Sequence, residues 1–363
     1  MPYIKENLPP FPAESDVWDK LKRETRPIVV YGMGNGADKL IEHLSLYGVE
    51  VADFFASDGF VRGQVFHQKR VKSFSEIKET YKDFVIVLSF ASSREEVIEQ
   101  FLKLDSAYDM YVPDMPIAGS EYFDCEFYNK NYEKIKAAAE ILADEESRAI
   151  FASVINYRLS GKISHILNTY SEKGEKYELI GRDKVKTFID AGAYNGDTAR
   201  EACFYFNNLK AVYAIEPDAR TFKKLSAFAE GEKTVKIVPI NAAVFSESGE
   251  GEFAHSGNRN STISATRSYE HKTATVPLIK IDDLDGGKID YVKYDVEGAE
   301  LSALIGSDET IRKYHPALSV SLYHRSEDIF SLILYLYEKY PSYKFYLRRT
   351  RCVPAWEIDL IMV

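Results

Sequence analysis

The chain has only three cysteines, Cys125, Cys203 and Cys352, scattered without metal-ligand spacing. Their scarcity excludes a disulfide scaffold and a cysteine-built zinc site, and it predicts buried, reduced thiols. No apolar run reaches the length of a membrane span, and the opening Met1-Pro2-Tyr3-Ile4-Lys5-Glu6 lacks the hydrophobic stretch of a signal peptide. A cytoplasmic protein without membrane contacts is expected. Positive charge is in deficit, with 46 Lys and Arg against 56 Asp and Glu and a net charge of −10. Such a field repels nucleic acid and anionic lipid, so an enzyme acting on nucleic acid is disfavoured. Internal repeats and low-complexity tracts are also missing. What remains is length and apolar content: 363 residues, 45% of them hydrophobic, exceed one compact core of ordinary size. Two domains and a connector are the expected organisation.

Residues 1–24 are polar and carry prolines, as in an arm laid on a surface. Pro27 to Tyr31 reads as a short buried strand running into Gly32-Met33-Gly34-Asn35-Gly36-Ala37, followed by helical spacing from Lys39 to Tyr47. Further strands are predicted at Val49–Phe55 and Phe84–Leu88. Two Ser-x-x-Glu boxes, Ser73 to Glu76 and Ser92 to Glu95, announce helices. This β-α-β-α-β pattern predicts a small Rossmann-like α/β domain over residues 25–117. Residues 118–179 show no strand pattern. Helices predicted at Tyr132–Leu142 and Ser147–Leu159 bridge the domains or roof the second active site. From 180 to 363 strands and helices alternate again, with strands at 235–240, 290–295 and 317–323, a helix at 327–339, and Tyr343–Arg348 with Glu357–Val363 as a closing pair. Between Ser246 and Ile281 lies a strand-poor polar insert with Gly249, Gly251, Gly257, Asn258, Asn260 and Ser261, placed where lids and substrate walls occur.

The densest signal is Thr187-Phe188-Ile189-Asp190-Ala191-Gly192-Ala193-Tyr194-Asn195-Gly196-Asp197-Thr198, a buried strand, a glycine-bearing turn and a helix start. Glu216 closes the next strand, Ala211 to Pro217, twenty positions beyond Gly196, where a carboxylate accepts from both hydroxyls of a ribose. A dinucleotide site disfavours negative side chains beside its pyrophosphate. Here Asp190 precedes the turn and Asp197 follows it. S-adenosylmethionine has no phosphate and carries an ammonium and a sulfonium, so flanking carboxylates attract it. The other reading of the stretch is an ordinary strand, turn and helix with an incidental acidic pair.

Together with this turn and Glu216-Pro217, the segments Asn241-Ala242-Ala243-Val244, Asp282-Asp283-Leu284 and Lys293-Tyr294-Asp295-Val296-Glu297-Gly298-Ala299-Glu300-Leu301 make residues 180–363 resemble FkbM-type methyltransferases. The resemblance implies S-adenosylmethionine-dependent O-methyl transfer and a class I methyltransferase fold, a doubly wound, largely parallel sheet with an antiparallel last strand. It also implies cofactor contacts from Asp190, Gly192, Ala193, Asn195, Gly196, Asp197, Thr198, Glu216, Pro217, Asn241, Ala242 and Asp295. It names no substrate. A sugar, a glycan precursor or a related small metabolite, possibly nucleotide-linked, is the expected acceptor.

A hydroxyl acceptor must lose its proton, and the candidates for removing it follow two neighbouring strands. Asp295 and Glu297 come after the 290–295 strand and His324 after the 317–323 strand, where Ser326 is placed to cap the next helix. Glu300 caps its helix or joins the site. Asp295 is a base, a contact to substrate hydroxyls or a ligand for a hard cation such as Mg2+. Lys293 either reaches the same region or faces the adjoining helix layer. His315, ahead of Pro316, ends a helix. In the first domain, Gly32, Gly34, Asn35 and Ala37 form a G-x-G-x-x-A turn, with Asp53 and Asp58 near the position of a ribose acceptor. That half-fold resembles the small Rossmann-like domains of sugar-modifying enzymes, and a vestigial scaffold is its other reading. Two rival functions stay open: a nucleotide-dependent oxidoreductase centred on Gly32–Ala37, and a non-catalytic cofactor-binding module. The oligomeric state is left open.

Overall fold

The computed structural model describes residues 7–254, 262–263 and 273–363. Its first part runs through helix α1 (Val17–Arg23), strand β1 (Ile28–Tyr31), helix α2 (Asn35–Ser45), strand β2 (Asp53–Ala56), a hairpin of β3 (Val65–Phe66) and β4 (Lys69–Arg70), strand β5 (Lys72–Ser73), helix α3 (Phe74–Thr80), strand β6 (Val85–Leu88), helix α4 (Glu95–Ala107) and strand β7 (Met110–Tyr111). Strands β1, β2 and β6 are buried along their whole length, as β-branched and aromatic runs between two helix layers must be. The sheet is parallel with order β5-β2-β1-β6-β7, so the winding reverses between β1 and β6. The second strand starts at Asp53 rather than Val49, because Val49 still turns off α2 through a hydrogen bond from its N–H to the Leu44 carbonyl.

Two local expectations fail for tertiary reasons. The arm before residue 25 does not simply lie on the surface: α1 buries Val17, Trp18 and Leu21 against the face of β1 that carries Ile28 and Val30. The Ser73–Glu76 capping box is present with both reciprocal bonds, whereas the Ser92 hydroxyl accepts only from the Arg94 N–H just before α4 and forms no box with Glu95. The Ser92 backbone pairs with Val353 in the other half of the chain, and α4 begins at Glu95 without a side-chain cap.

The connector folds as α5 (Cys125–Ile141) and α6 (Glu145–Ser160), whose first turns are capped by the Asp124 and Asp144 carboxylates. Beyond them come α7 (Glu175–Ile180), β8 (Thr187–Ala191), α8 (Asp197–Tyr205), β9 (Ala211–Ile215), α9 (Ala219–Gly231), β10 (Lys236–Ile240), β11 (Ala243–Val244), β12 (Gly249–Ala254), β13 (Thr262–Ile263), β14 (Thr273–Ile279), β15 (Tyr291–Tyr294), α10 (Glu300–Ile305), α11 (Asp308–Tyr314), β16 (Ala317–Ser321), α12 (Asp328–Lys339), β17 (Phe345–Arg349) and β18 (Ile358–Met362). His315 ends α11 in the left-handed conformation, as expected. The main sheet has order β10-β9-β8-β15-β16-β18-β17 and is parallel except for β18, which runs antiparallel to both neighbours. This is the doubly wound sheet with an antiparallel last strand that was expected.

The connector covers this second sheet. Phe127 of α5 meets Phe330 of α12 at 6.0 Å between ring centres. Ser147 Oγ in α6 accepts from the Leu347 N–H, and Asp144 pairs with Arg348 at 2.7 Å. One continuous apolar cluster extends from Val29 and Ile86 through Phe127 and Ile155 to Val320 and Leu360. The insert after Ser246 is not strand-poor: β11, β14, β12 and β13 make a separate four-stranded sheet in that order. Its polar composition hid that pairing. Gly257, Asn258, Asn260, Ser261, His255 and His271 lie outside the described residues. The cysteines form no disulfide among the described residues; Cys352 is buried and the other two are half-buried. No described helix is long and apolar enough to cross a membrane.

Candidate active site

The winding of the main sheet reverses between β8 and β15, and the crevice at their carboxyl ends holds most of the residues singled out above. Gly192 has φ +83°, and a Cβ there would lie 1.8 Å from the carbonyl oxygen of Asp295. Only glycine lets the loop after β8 pass the loop after β15. Its N–H and that of Ala193 both donate to the Ile215 carbonyl, which ties the turn to β9. Gly196, also at φ +83°, seats the start of α8 on Phe228 of α9. Asn195 accepts from Arg200, and Asp197 accepts from the Thr198 N–H at the exposed rim.

Glu216 ends β9 and is 7% exposed. Its two oxygens accept from the N–H groups of Tyr194 and Asp218 at 2.9 and 2.8 Å. Burial nevertheless pushes this carboxyl up to about 7. Two lone-pair positions stay available for ligand hydroxyls. Asn241 braces the turn by donating to the carbonyls of Glu216 and Pro217, above buried Ala242. Asp190 is fully buried, and neither carboxylate oxygen accepts a hydrogen bond among the described residues. Burial raises it to about 6, against the pull of Lys293 Nζ at 3.6 Å. The ammonium beside this carboxylate is that of Lys293, and the groups here that fit S-adenosylmethionine are the lone pairs of Glu216 and the backbone of the Gly192–Ala193 turn.

Across the Gly192–Asp295 contact stands an acid–base cluster. His324 is completely buried, with Nδ1 2.9 Å from Glu300 Oε1 and Nε2 3.5 and 3.6 Å from Asp295 Oδ1 and Glu297 Oε2. Burial opposes its charge, yet Glu300, Glu297 and Asp295 push the imidazole up to about 10. It is therefore held as a cation near neutrality. Glu300 also accepts from the N–H groups of Val296 and Gly298, so it is both loop cap and imidazole partner. Burial raises Glu297 to about 8. This residue sits at φ +53°, a left-handed conformation that β-carbon sterics disfavour and that clusters at functional sites.

The side chains of Asp295 and Glu297 are 24% and 29% exposed, whereas His324 has no exposure. Asp295 and Glu297 thus stand at the open side of the cluster that was expected to remove the proton, and His324 lies behind them. Asp295 does not fit as a ligand for Mg2+. Its Oδ2 lies 3.1 Å from Lys293 Nζ, and its Oδ1 accepts from the Tyr323 hydroxyl. A divalent ion would stand against that ammonium. Burial would raise Asp295, but Lys293 and His324 overrule it and hold it well below the usual carboxylate range. Lys293 does not face a helix layer; it bridges Asp190 and Asp295 within the crevice. Ser326 does not cap α12, since its hydroxyl donates to the Glu121 carbonyl.

The turn after β1 is only partly open. A Cβ on Gly32 would strike the Phe90 ring and Ser89 Oγ at 2.7 Å, and one on Gly36 the Ser89 carbonyl oxygen at 2.1 Å, so those glycines serve internal packing. Gly34 has open space beside it, Asn35 starts α2, and Ala37 is buried. Asp58 is exposed beyond β2. Asp53 is bound to Lys72 and the Tyr81 hydroxyl and faces no ligand. The sequence reading missed Tyr323, the Glu300–His324 bond, Lys39 and Trp356. Each acts through a partner distant in the chain and leaves no local pattern.

Residues 190–345 match the family model of the methyltransferase FkbM domain. No curated protein matches the chain. Among solved structures, a methyltransferase FkbM of Methylobacillus flagellatus KT is 18% identical, with 99% of this chain and 97% of that chain covered at a TM-score of 0.72, which shows a shared fold. A putative rRNA methylase of Clostridium thermocellum is 10% identical and covers 54% of this chain and 96% of its own, at a TM-score of 0.34. Residues 190–345 thus match a methyltransferase FkbM domain, within a fold that the whole chain shares with the Methylobacillus protein.

Proposed function

We propose that the protein transfers a methyl group from S-adenosylmethionine to a hydroxyl of a sugar, a glycan precursor or a related small metabolite. The observation that carries this reading is the buried imidazole ringed by Asp295, Glu297 and Glu300, one backbone contact from the cofactor turn. An alcohol is too weak an acid to react unaided near neutrality, so its methylation calls for such a proton-accepting cluster. When bound, S-adenosylmethionine supplies an electrophilic methyl on a sulfonium. Glu216 would hold the ribose of the cofactor, Asp190 would contribute negative charge toward its ammonium, Gly192 and Ala193 would let it approach the backbone, and Glu297 would take the hydroxyl proton. His324 then stabilises the carboxylates around it. The match of residues 190–345 favours methyl transfer over the hydride-transfer reading.

Two measurements test this. Glu216→Ala is expected to weaken S-adenosylmethionine binding by about 1.5–3 kcal/mol, the worth of charge-assisted bonds to a ribose. Calorimetry reads it, and unchanged affinity removes Glu216 from the cofactor site. The second measurement is the pH profile of kcat/KM with a hydroxyl acceptor. A base works deprotonated, so the rate should climb roughly tenfold per pH unit below about 8 and level off above it. Glu297→Gln should abolish that limb. A flat profile in the wild type would place proton acceptance elsewhere.

A further inference from the structure

Where the winding of the N-terminal sheet reverses, a small open cleft lies beyond the carboxyl ends of β1 and β6. Asn35 and Lys39 of α2 form one wall, Phe90 another, and Trp356 from the loop between β17 and β18 closes it from the methyltransferase side. Crevices at such reversal points are where open α/β sheets take ligands. Two polar groups in this cleft are open to a ligand, one without a hydrogen-bond partner and one held only by backbone carbonyls. The indole N–H of Trp356 is buried and has no acceptor among the described residues. Lys39 Nζ touches only the carbonyls of Pro116 and Ile117 among its hydrogen-bond partners, and no carboxylate lies within ion-pair distance of it among the described residues. Burial lowers its pKa and the field of Glu297 raises it, so the ammonium lies within electrostatic reach of the proton-accepting cluster.

The cleft also abuts that cluster through the chain itself. Pro116 and Ile117 line it, and the next residue, Ala118, donates its N–H to the His324 carbonyl at 2.8 Å. A Cβ on Gly298, next to Glu297, would meet Ala118 Cβ at 2.4 Å. Ala118 thus packs between the cleft wall and the loop that carries Glu297.

We propose that this cleft is the acceptor site and that it takes a phosphorylated sugar, with the ring on Trp356, a sugar oxygen accepting from the indole N–H, and the phosphate beside Lys39 and the open backbone at Gly34. The phosphate is either a sugar 1-phosphate or the diphosphate of a nucleotide-linked sugar. An aromatic face and an N–H suit a sugar ring, and a cation without a carboxylate partner suits an anion. This inference rests on the reading of a sugar hydroxyl as the methyl acceptor.

The test titrates glucose 1-phosphate, UDP-glucose and unphosphorylated methyl glucoside into the full-length protein saturated with S-adenosylhomocysteine, and in parallel measures S-adenosylmethionine affinity and methyl transfer to each sugar. A phosphorylated sugar should bind at least tenfold more tightly than methyl glucoside. Lys39→Met should remove that preference, and Trp356→Phe should weaken both classes severalfold, with cofactor affinity unchanged in either variant. Preference for glucose 1-phosphate or for UDP-glucose identifies the phosphate source. Failure of all three sugars to bind, or binding that neither variant alters, overturns the cleft assignment. Binding that both variants weaken but that is never followed by methyl transfer leaves a sugar-phosphate site in the cleft and overturns its role as the acceptor site. Methyl transfer that both variants leave intact overturns the cleft assignment and upholds the proposed reaction.

Discussion

His324→Gln should lower the turnover rate at least about a hundredfold near neutral pH, with little change in S-adenosylmethionine affinity. The imidazole touches Asp295, Glu297 and Glu300 and lies in the field of Asp328, and Lys293 is the other cation in that group. Removing it leaves buried carboxylates without their counter-charge, a change that typically costs about 3–5 kcal/mol of stability. The cofactor crevice at β8 and β9 keeps its own contacts, so binding and turnover separate. A pH signature distinguishes this from simple loss of packing. The folded state holds His324 up to about 10 against an ordinary value of 6.5, so it binds that proton more tightly than the unfolded chain. Its stabilisation is complete below about 6.5 and disappears as the pH rises through about 10. The stability gap between wild type and His324→Gln should therefore narrow across that window in denaturant unfolding. A constant gap would mean that the imidazole is not held as a cation.

Gly192→Ala should be the most damaging single-methyl change in the crevice. The added carbon would sit 1.8 Å from a backbone carbonyl, and φ +83° is a conformation that costs an L-residue about 1–2 kcal/mol by itself. Neither neighbour is a flexible side chain, so relief requires the loops after β8 and β15 to separate. A loss of about 3 kcal/mol or more is expected, together with loss of S-adenosylmethionine binding, because the same separation moves Asp190 and Asp295 apart. Gly249→Ala is the control: nothing lies within 4 Å of a Cβ there and its φ is ordinary. That variant should melt with the wild type. Equal stability of the two variants would show that the loops do not touch.

The central strands were legible because they are short and buried on both faces, and such strands write continuous apolar runs such as Val85–Leu88 and Phe188–Ile189. The edges of the first sheet and the insert were not: β5 and β7 are two residues long, β12 carries glycines and glutamates, and the apolar run of β14 from Val276 to Ile279 is broken by Pro277. Ser92 and Ser326 show how a local signal loses to a distant partner, since one pairs with Val353 and the other reaches Glu121. In the site, the positions that follow strands could be read in order along the chain, and the structure does bring Asp190, Glu216, Asp295, Glu297 and His324 to one end of the sheet. What each does there could not be read. Exposure separates Glu297 from the buried His324, and exposure follows from packing between segments more than a hundred residues apart.

The backbone pair between Ser92 and Val353 has a consequence for motion. Each residue donates its N–H to the other's carbonyl, at 2.8 and 3.0 Å, and Arg351 is paired with Glu95 alongside. A second strap, from Ala118 to the His324 carbonyl, holds the opposite side of the cleft. Two sheets fastened on both sides cannot swing apart on a single hinge. Separation of the two sheets would have to break both straps, one of them on the residue that carries the buried imidazole.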